Sequence, residues 1–171
     1  MPVGEAEWDV ISGVSVGGIN ACGLGVYAPG EEEAATDFML DFWRGMSRTT
    51  VYRKWDTGYI DGIFRKSGLF NNTHFIDYIE SKMPADRRAM LRKMVVGSTD
   101  LNTGKYVRYT ESLPYEEFTY KATRASSSFP VGFPTVEFDG NVLSDGGAIL
   151  NLDISAAVHR CMRLLTTRRT S

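Results

Sequence analysis

Cysteine is scarce in this chain of 171 residues, which has only Cys22 and Cys161. Two thiols so far apart build neither a disulfide framework nor a metal knuckle, which favours a reduced compartment. Cys22, set in an apolar run, reads as a small core residue. Histidine is equally rare, with His74 and His159 alone, and this narrows the choice of a general base. No apolar run approaches the ~18 residues that a bilayer span needs. The start, Met1-Pro-Val-Gly-Glu-Ala-Glu, has no basic stretch followed by an apolar one, so no signal peptide is visible. The triplet Asn71-Asn72-Thr73 fits a glycosylation acceptor, but without a secretory signal it is discounted. The expected location is therefore cytoplasmic or peripheral to a membrane. A charge excess is also missing, since 19 Lys+Arg face 21 Asp+Glu for a net charge of −2. That balance argues against nucleic acid as a partner. Arg163, Arg168 and Arg169 read as a solvated tail.

What is present fits one α/β domain over residues 1–171, with a 43% hydrophobic and 23% charged composition ordinary for a globular protein. Trp8-Asp-Val-Ile-Ser12 is a short β-branched run that breaks at Gly13, and it predicts a buried strand. Small and apolar residues from Ser15 to Tyr27 predict a buried helix that stops at Pro29-Gly30. Residues 31–46 predict a second helix, with acids in its first turn where the dipole favours them. Residues 48–71 give no clear assignment. Asn72 or Thr73 is placed to cap a helix to about Met83, with Phe75, Ile76 and Ile79 on its inner face. Two strands follow, Met94–Thr99 and Tyr106–Tyr109, joined by a turn at Asp100–Gly104. A helix is expected after Pro114 to Arg124, then a hairpin around Asp139-Gly140-Asn141, then a helix capped by Asp153 to about Leu165. Strands and helices interleave, which gives the α/β class.

The sharpest chemical signal is Gly13-Val14-Ser15-Val16-Gly17, between a predicted strand and a predicted helix. A G-x-S-x-G in that setting forms a strained turn that lifts the serine hydroxyl to the strand's end. The glycines Gly13 and Gly17 are expected for steric reasons, and the helix N-terminus favours developing negative charge. A plain tight turn is the competing account. Serine needs a base. His74 reads as a surface or capping residue. His159, in the last helix, keeps the order Ser15, Asp145, His159 of an α/β-hydrolase triad open. Asp145, in Ser144-Asp145-Gly146-Gly147, sits in a flexible turn just after a strand; taken alone it is a common Asp-Gly turn.

Taken together, the blocks resemble a known family. Trp8-Asp-Val-Ile-Ser-Gly-Val-Ser15-Val-Gly-Gly-Ile-Asn20-Ala is similar to the nucleophile segment of patatin-like phospholipases. Ala125-Ser-Ser-Ser-Phe-Pro130, Phe133-Pro134, Asp139-Gly140 and Asp145-Gly146-Gly147 resemble that family's second block, with Thr99–Gly104 similar to a segment between them. The resemblance implies a three-layer α/β/α sandwich with a mostly parallel central sheet. It implies a Ser15–Asp145 dyad that forms an acyl-enzyme on lipid esters (phospholipid, galactolipid or acylglycerol), with no metal and no cofactor. Val16 N–H is the oxyanion donor the chain offers beside the nucleophile.

Two departures stand out. The family's glycine-rich oxyanion loop, which precedes the nucleophile strand, is not found between Met1 and Trp8, so the expectation is a fragment, a truncated gene model or a degenerate paralogue. Asn151-Leu152-Asp153 replaces the family's Asn-x-Pro. A catalytically impaired remnant that binds lipid or a partner is the alternative in another class. The stretch from Phe42-Trp43-Arg44 to Trp55, with Arg48, Arg53 and Lys54, offers a peripheral membrane contact; a packed helix-and-loop cover is the plainer reading.

Overall fold

The structure, a computed structural model, describes residues 7–170, with the side chains of residues 48, 60, 63 and 168–170 outside that description. Most of the N-terminal stretch read for a signal peptide, and the side chains of Arg48, Arg168 and Arg169, therefore lie outside it. Among the described residues, strand β1 (Val10–Val14) comes first, followed by helices α1 (Val16–Gly25) and α2 (Glu32–Arg44). Short elements follow: α3 (Arg48–Val51), β2 (Arg53–Lys54), α4 (Gly58–Arg65) and β3 (Phe70–Asn71). Helix α5 (Thr73–Lys82) leads to strands β4 (Lys93–Asp100) and β5 (Lys105–Thr110). Then α6 (Tyr115–Glu117), a π-helical turn (Phe118–Ala122) and α7 (Thr123–Ser126) run on as one helical stretch. The hairpin of β6 (Val136–Phe138) and β7 (Asn141–Asp145) precedes a 3₁₀ turn (Gly146–Ala148) and helix α8 (Ile154–Thr170).

Most elements formed near where local chemistry favoured them, but β1 lies at Val10–Val14 rather than Trp8–Ser12, so the strand does not break at Gly13, which pairs with Val96 of β4. Asp139 and Gly140 both take positive φ, 54° and 73°, as the tight turn between β6 and β7 demands. Asp153 Oδ1 accepts the Ala156 N–H at 3.0 Å and caps α8, which runs past the expected end at Leu165. At α5 the N-cap residue Asn72 is buried and makes no side-chain capping bond. Its neighbour Asn71 accepts the Thr73 N–H instead, at 2.9 Å.

Strand β4 organises the molecule. Its side chains alternate between two helical layers, as a central strand's must. Met94 and Val96 join Ile19, Cys22 and Val26 of the α1 side in the main core. Val95 faces the other way, toward Ala156 of α8. Helices α1 and α2 on one face and α8 on the other make the expected three-layer α/β/α sandwich. The sheet itself is mixed. β1 runs parallel to β4, while β5 and β7 pair antiparallel with β4 and β6 antiparallel with β7.

Both β1 and β7 lie on the edge of β4 that β5 leaves open. β1 pairs with the first half of β4, ending at Val14 opposite Gly97. β7 pairs with the second half, ending at Asp145 opposite Ser98. Because one is parallel and the other antiparallel, their carboxyl ends meet nose to nose at the Gly97–Ser98 step. This topology, more than any local motif, places the candidate site.

Residues 48–71 fold into a small aromatic cover. Tyr52 packs on Phe70 at 4.9 Å between centroids, and Trp55 Nε1 donates to the Gly68 carbonyl at 2.9 Å. Phe42 is buried, and Trp43 Nε1 donates to Asn20 Oδ1 at 2.9 Å. The aromatics proposed as membrane anchors are thus held inward. Among the described residues, no helix is long and apolar enough to cross a membrane.

Candidate active site

Ser15 occupies the single residue between β1 and α1, with φ 58° and ψ −128°. A residue bearing a Cβ enters this region only under constraint from its surroundings. Three constraints are visible. The Ser15 carbonyl accepts the Gly18 N–H at 2.9 Å, its N–H donates to Ser126 Oγ at 3.0 Å, and Ser126 Oγ–H donates to the Gly97 carbonyl at 2.6 Å. Ser126 is fully buried and clamps the turn to β4.

Gly13 behaves as the motif requires, because a Cβ there would stand 2.1 Å from the Gly17 carbonyl oxygen. Gly17 does not. A Cβ on Gly17 would meet no described atom within 4 Å, so its side of the turn is open and the steric expectation is corrected. The tight approach behind the turn falls instead on Gly18, whose added Cβ would lie 3.2 Å from both Ser126 Oγ and Val96 Cγ1.

Asp145 closes the other side. Ser15 Oγ–H donates to Asp145 Oδ2 at 2.5 Å. The second oxygen, Oδ1, accepts the Gly147 N–H at 2.7 Å, which locks the carboxylate's rotation. The Asp145 N–H donates to the Ser128 carbonyl at 2.9 Å, and Thr99 Oγ1 donates to the Asp145 carbonyl at 3.0 Å. Gly146 is needed for close approach, since a Cβ there would lie 2.4 Å from the Gly97 carbonyl oxygen. Gly147 is similarly confined, with Asn151 Oδ1 2.8 Å from where its Cβ would be. Asp145 is 4% exposed and Val16, beside the serine, is 53% exposed. The pair therefore has a buried base side and an open approach.

The arrangement suits proton transfer from a hydroxyl to a fixed carboxylate. The Ser15 N–H is engaged by Ser126, so the neighbouring donor at the head of α1 is the Val16 N–H, where helix N–H groups lack intrahelical acceptors. The histidines stand elsewhere. His74 is half-buried on α5. His159 lies on α8 and lines a cavity with Val95, Arg108 and Thr110, on the sheet face turned away from α1. Among the described residues no hydrogen bond joins His159 to Ser15 or Asp145. Cys22 is also apart from the site: it is buried, its thiol donates weakly to Thr119 Oγ1 at 3.6 Å, and burial pushes its pKa up to about 11.

Sequence reasoning named Ser15 and Asp145, which the fold brings within hydrogen-bond distance, but not Ser126. Its signal was the run Ser126-Ser127-Ser128 inside the second block, where any one of three serines fits the pattern. Only the fold reveals that Ser126 faces the turn.

No curated protein matches the chain. Among solved structures, VipD from Legionella pneumophila is similar over 78% of this chain and 24% of its own length, at 13% identity and a TM-score of 0.32. The chain thus spans about a quarter of that protein, and so slight a likeness carries no argument. The family model described as patatin-like phospholipase matches residues 4–158, a span that holds the Ser15 turn, the Ser126 clamp and Asp145 together. The chain belongs to the patatin-like phospholipase family.

Proposed function

We propose that the chain is a serine acyl-hydrolase acting on lipid esters through a dyad of Ser15 and Asp145. The observation that carries this reading is the 2.5 Å bond from Ser15 Oγ to Asp145 Oδ2, made from a strained turn at the head of α1. Ser15 Oγ attacks the ester carbonyl carbon as its proton passes to Asp145. The tetrahedral oxyanion forms near the α1 N-terminus, with the Val16 N–H as the donor nearest the nucleophile. Collapse expels the alcohol, which takes the proton from Asp145, and leaves an acyl-serine. Water then gives a proton to the same carboxylate, attacks the acyl carbon and releases the fatty acid, and the proton returns to Ser15. No histidine, metal or cofactor enters these steps.

Long acyl chains as substrate are supported by the apolar rim beside the dyad. Val16 follows the nucleophile directly, and Phe129 is next to Ser128, the residue that holds the Asp145 backbone. Ile149 and Leu150 close the Asp145 turn on the Gly146 carbonyl. All four side chains are exposed, Phe129 most of all. Exposed apolar groups that follow the serine and the Asp145 turn along the chain suit contact with an apolar ligand.

The test is labelling by a fluorophosphonate probe together with turnover of a long-chain acylglycerol. Ser15→Ala should abolish labelling while the fold is kept. Asp145→Asn should lower turnover by at least about 10², the lower scale for a lost general base. His159→Ala and His74→Ala should leave most activity. Damage from His159→Ala equal to that from Asp145→Asn would replace the dyad with a triad. A chain that neither labels nor turns over ester, yet folds and binds lipid, would instead be the impaired remnant.

A further inference from the structure

The sheet face turned away from α1 holds a cluster that the dyad chemistry does not use. Helix α8 lies on that face and leaves several of its apolar residues outward. Ile154, Val158, Met162 and Leu165, at helical spacing, are exposed, while Arg160 turns inward and is half-buried. Between α8 and strands β4 and β5 lie two adjoining cavities of about 230 and 260 Å³, which share Arg160 and Arg163 in their walls. Arg108 and His159 line the first, and Lys93 lines the second.

Four permanent cations, Lys93, Arg108, Arg160 and Arg163, therefore face two carboxylates, Glu111 and Asp153. Glu111 is shared between Lys93, at 3.0 Å, and Arg160. Asp153 is taken by Arg108 through Nε at 2.5 Å and Nη2 at 3.2 Å. Arg163 is exposed and has no ion pair among the described residues. Arg160 Nε is buried and finds no hydrogen-bond acceptor among them. A buried guanidinium N–H without a protein acceptor is costly, so an anion that accepts from it would be favoured there. The surplus of two positive charges matches a phosphomonoester dianion, and guanidinium forks suit phosphate oxygens. Leu164 and the carbon faces of Val95 and Ala156 add an apolar wall.

We infer that this cleft is a binding site for a phosphomonoester, distinct from the dyad, with Arg160 and Arg163 gripping the phosphate. The source is either a soluble phosphate ester or the head group of a phosphatidate. The inference is independent of the dyad's role, because none of its residues takes part in the acyl transfer.

The test is titration of the Ser15→Ala protein, followed by calorimetry and thermal unfolding. The probes are inorganic phosphate, glycerol 3-phosphate and a short-chain phosphatidate below its micelle concentration, with chloride at matched ionic strength as control. Saturable binding of at least one phosphate probe, weakened about tenfold or more by Arg163→Gln, is expected. Arg163 is exposed, so that variant keeps its fold even if Arg160→Gln does not. Binding by all three probes assigns the site to the phosphate group itself, and binding by phosphatidate alone assigns it to a lipid head group. Stabilisation no greater than that by chloride overturns the inference, as does phosphate binding that Arg163→Gln leaves unchanged.

Discussion

Ser15 holds its unusual backbone only because neighbours remove the alternatives, and Ser126 is the one that does so without sharing the proposed chemistry. Losing its hydroxyl removes the acceptor for the Ser15 N–H and the donor to the Gly97 carbonyl. A lost bond at a strained residue is worth about 1–3 kcal/mol, a factor of about 5 to 150 in a rate. Ser126→Ala should therefore slow fluorophosphonate labelling of Ser15 by at least about fivefold. KM for a soluble ester should hardly move, because Ser126 is buried beneath the turn and touches no substrate. A fall in thermal stability with an unchanged labelling rate would make Ser126 a packing residue only. Gly13→Ala is harsher. Its Cβ would sit 2.1 Å from the Gly17 carbonyl oxygen, and backbone cannot yield there as a flexible side chain does. Labelling should be lost along with several degrees of melting temperature, whereas Gly17→Ala, with open space around it, should label nearly as well as the parent.

At the level of elements, the site is made by two strands that end against one another. β1 and β7 meet at the Gly97–Ser98 step, and a Cβ on Gly146 would lie 2.4 Å from the Gly97 carbonyl oxygen. Gly146→Ala should push the end of β7 off β4 and lengthen the Ser15–Asp145 bond. The expected result is a loss of turnover larger than the loss of stability, read from kcat against the urea midpoint. Equal, small effects would show that the junction tolerates the displacement.

Much of this layout was legible. The Asp139-Gly140 turn and the Asp153 cap are local, since each depends on residues a few positions apart, whereas the end of β1 is not: the strand carries on through Gly13 to Val14 because both pair with β4. The order of the sheet was not legible either. Nothing near residue 145 in sequence says that β7 runs antiparallel to β4, because that pairing is decided by partners about 45 residues away. The segment 48–71 was opaque for a related reason: its strands β2 and β3 are two residues each and exist only by pairing with one another. On α8 exposure does not follow apolarity: Arg160 is half-buried while Val158 and Met162 stay exposed.

Across the whole molecule, ion pairs stitch the helical layers to the sheet. Arg92, whose side chain is wholly buried, donates to the carbonyls of Tyr27, Ala28 and Trp8 and to Glu32. It joins the end of α1, the start of β1 and the start of α2 at one point. Nearby, Arg87 forks onto Glu31 at 2.7 and 2.8 Å, and on the other face Arg108 holds Asp153. Each carboxyl is pulled below its ordinary range. The Arg87 hydrogen bond brings Glu31 from 4.5 to about 2. The Arg92 bond lowers Glu32, and at Asp153 burial alone would raise the value but the Arg108 bond overrides it. A group whose folded value lies below its unfolded one binds fewer protons folded than unfolded in the interval between them. Its stabilisation is thus complete above the unfolded value and drains as pH falls toward the folded one. The urea midpoint should therefore be flat near neutrality and drop steadily from about pH 5 to about pH 2. Glu31→Gln should shallow that descent while lowering the neutral-pH midpoint only slightly, because the Glu31 pair is partly exposed and solvent-screened. Arg92→Met should lower the midpoint at every pH, since it orphans three backbone carbonyls together with Glu32. A midpoint that holds level down to about pH 3 would mean that these pairs are no stronger in the fold than in the unfolded chain.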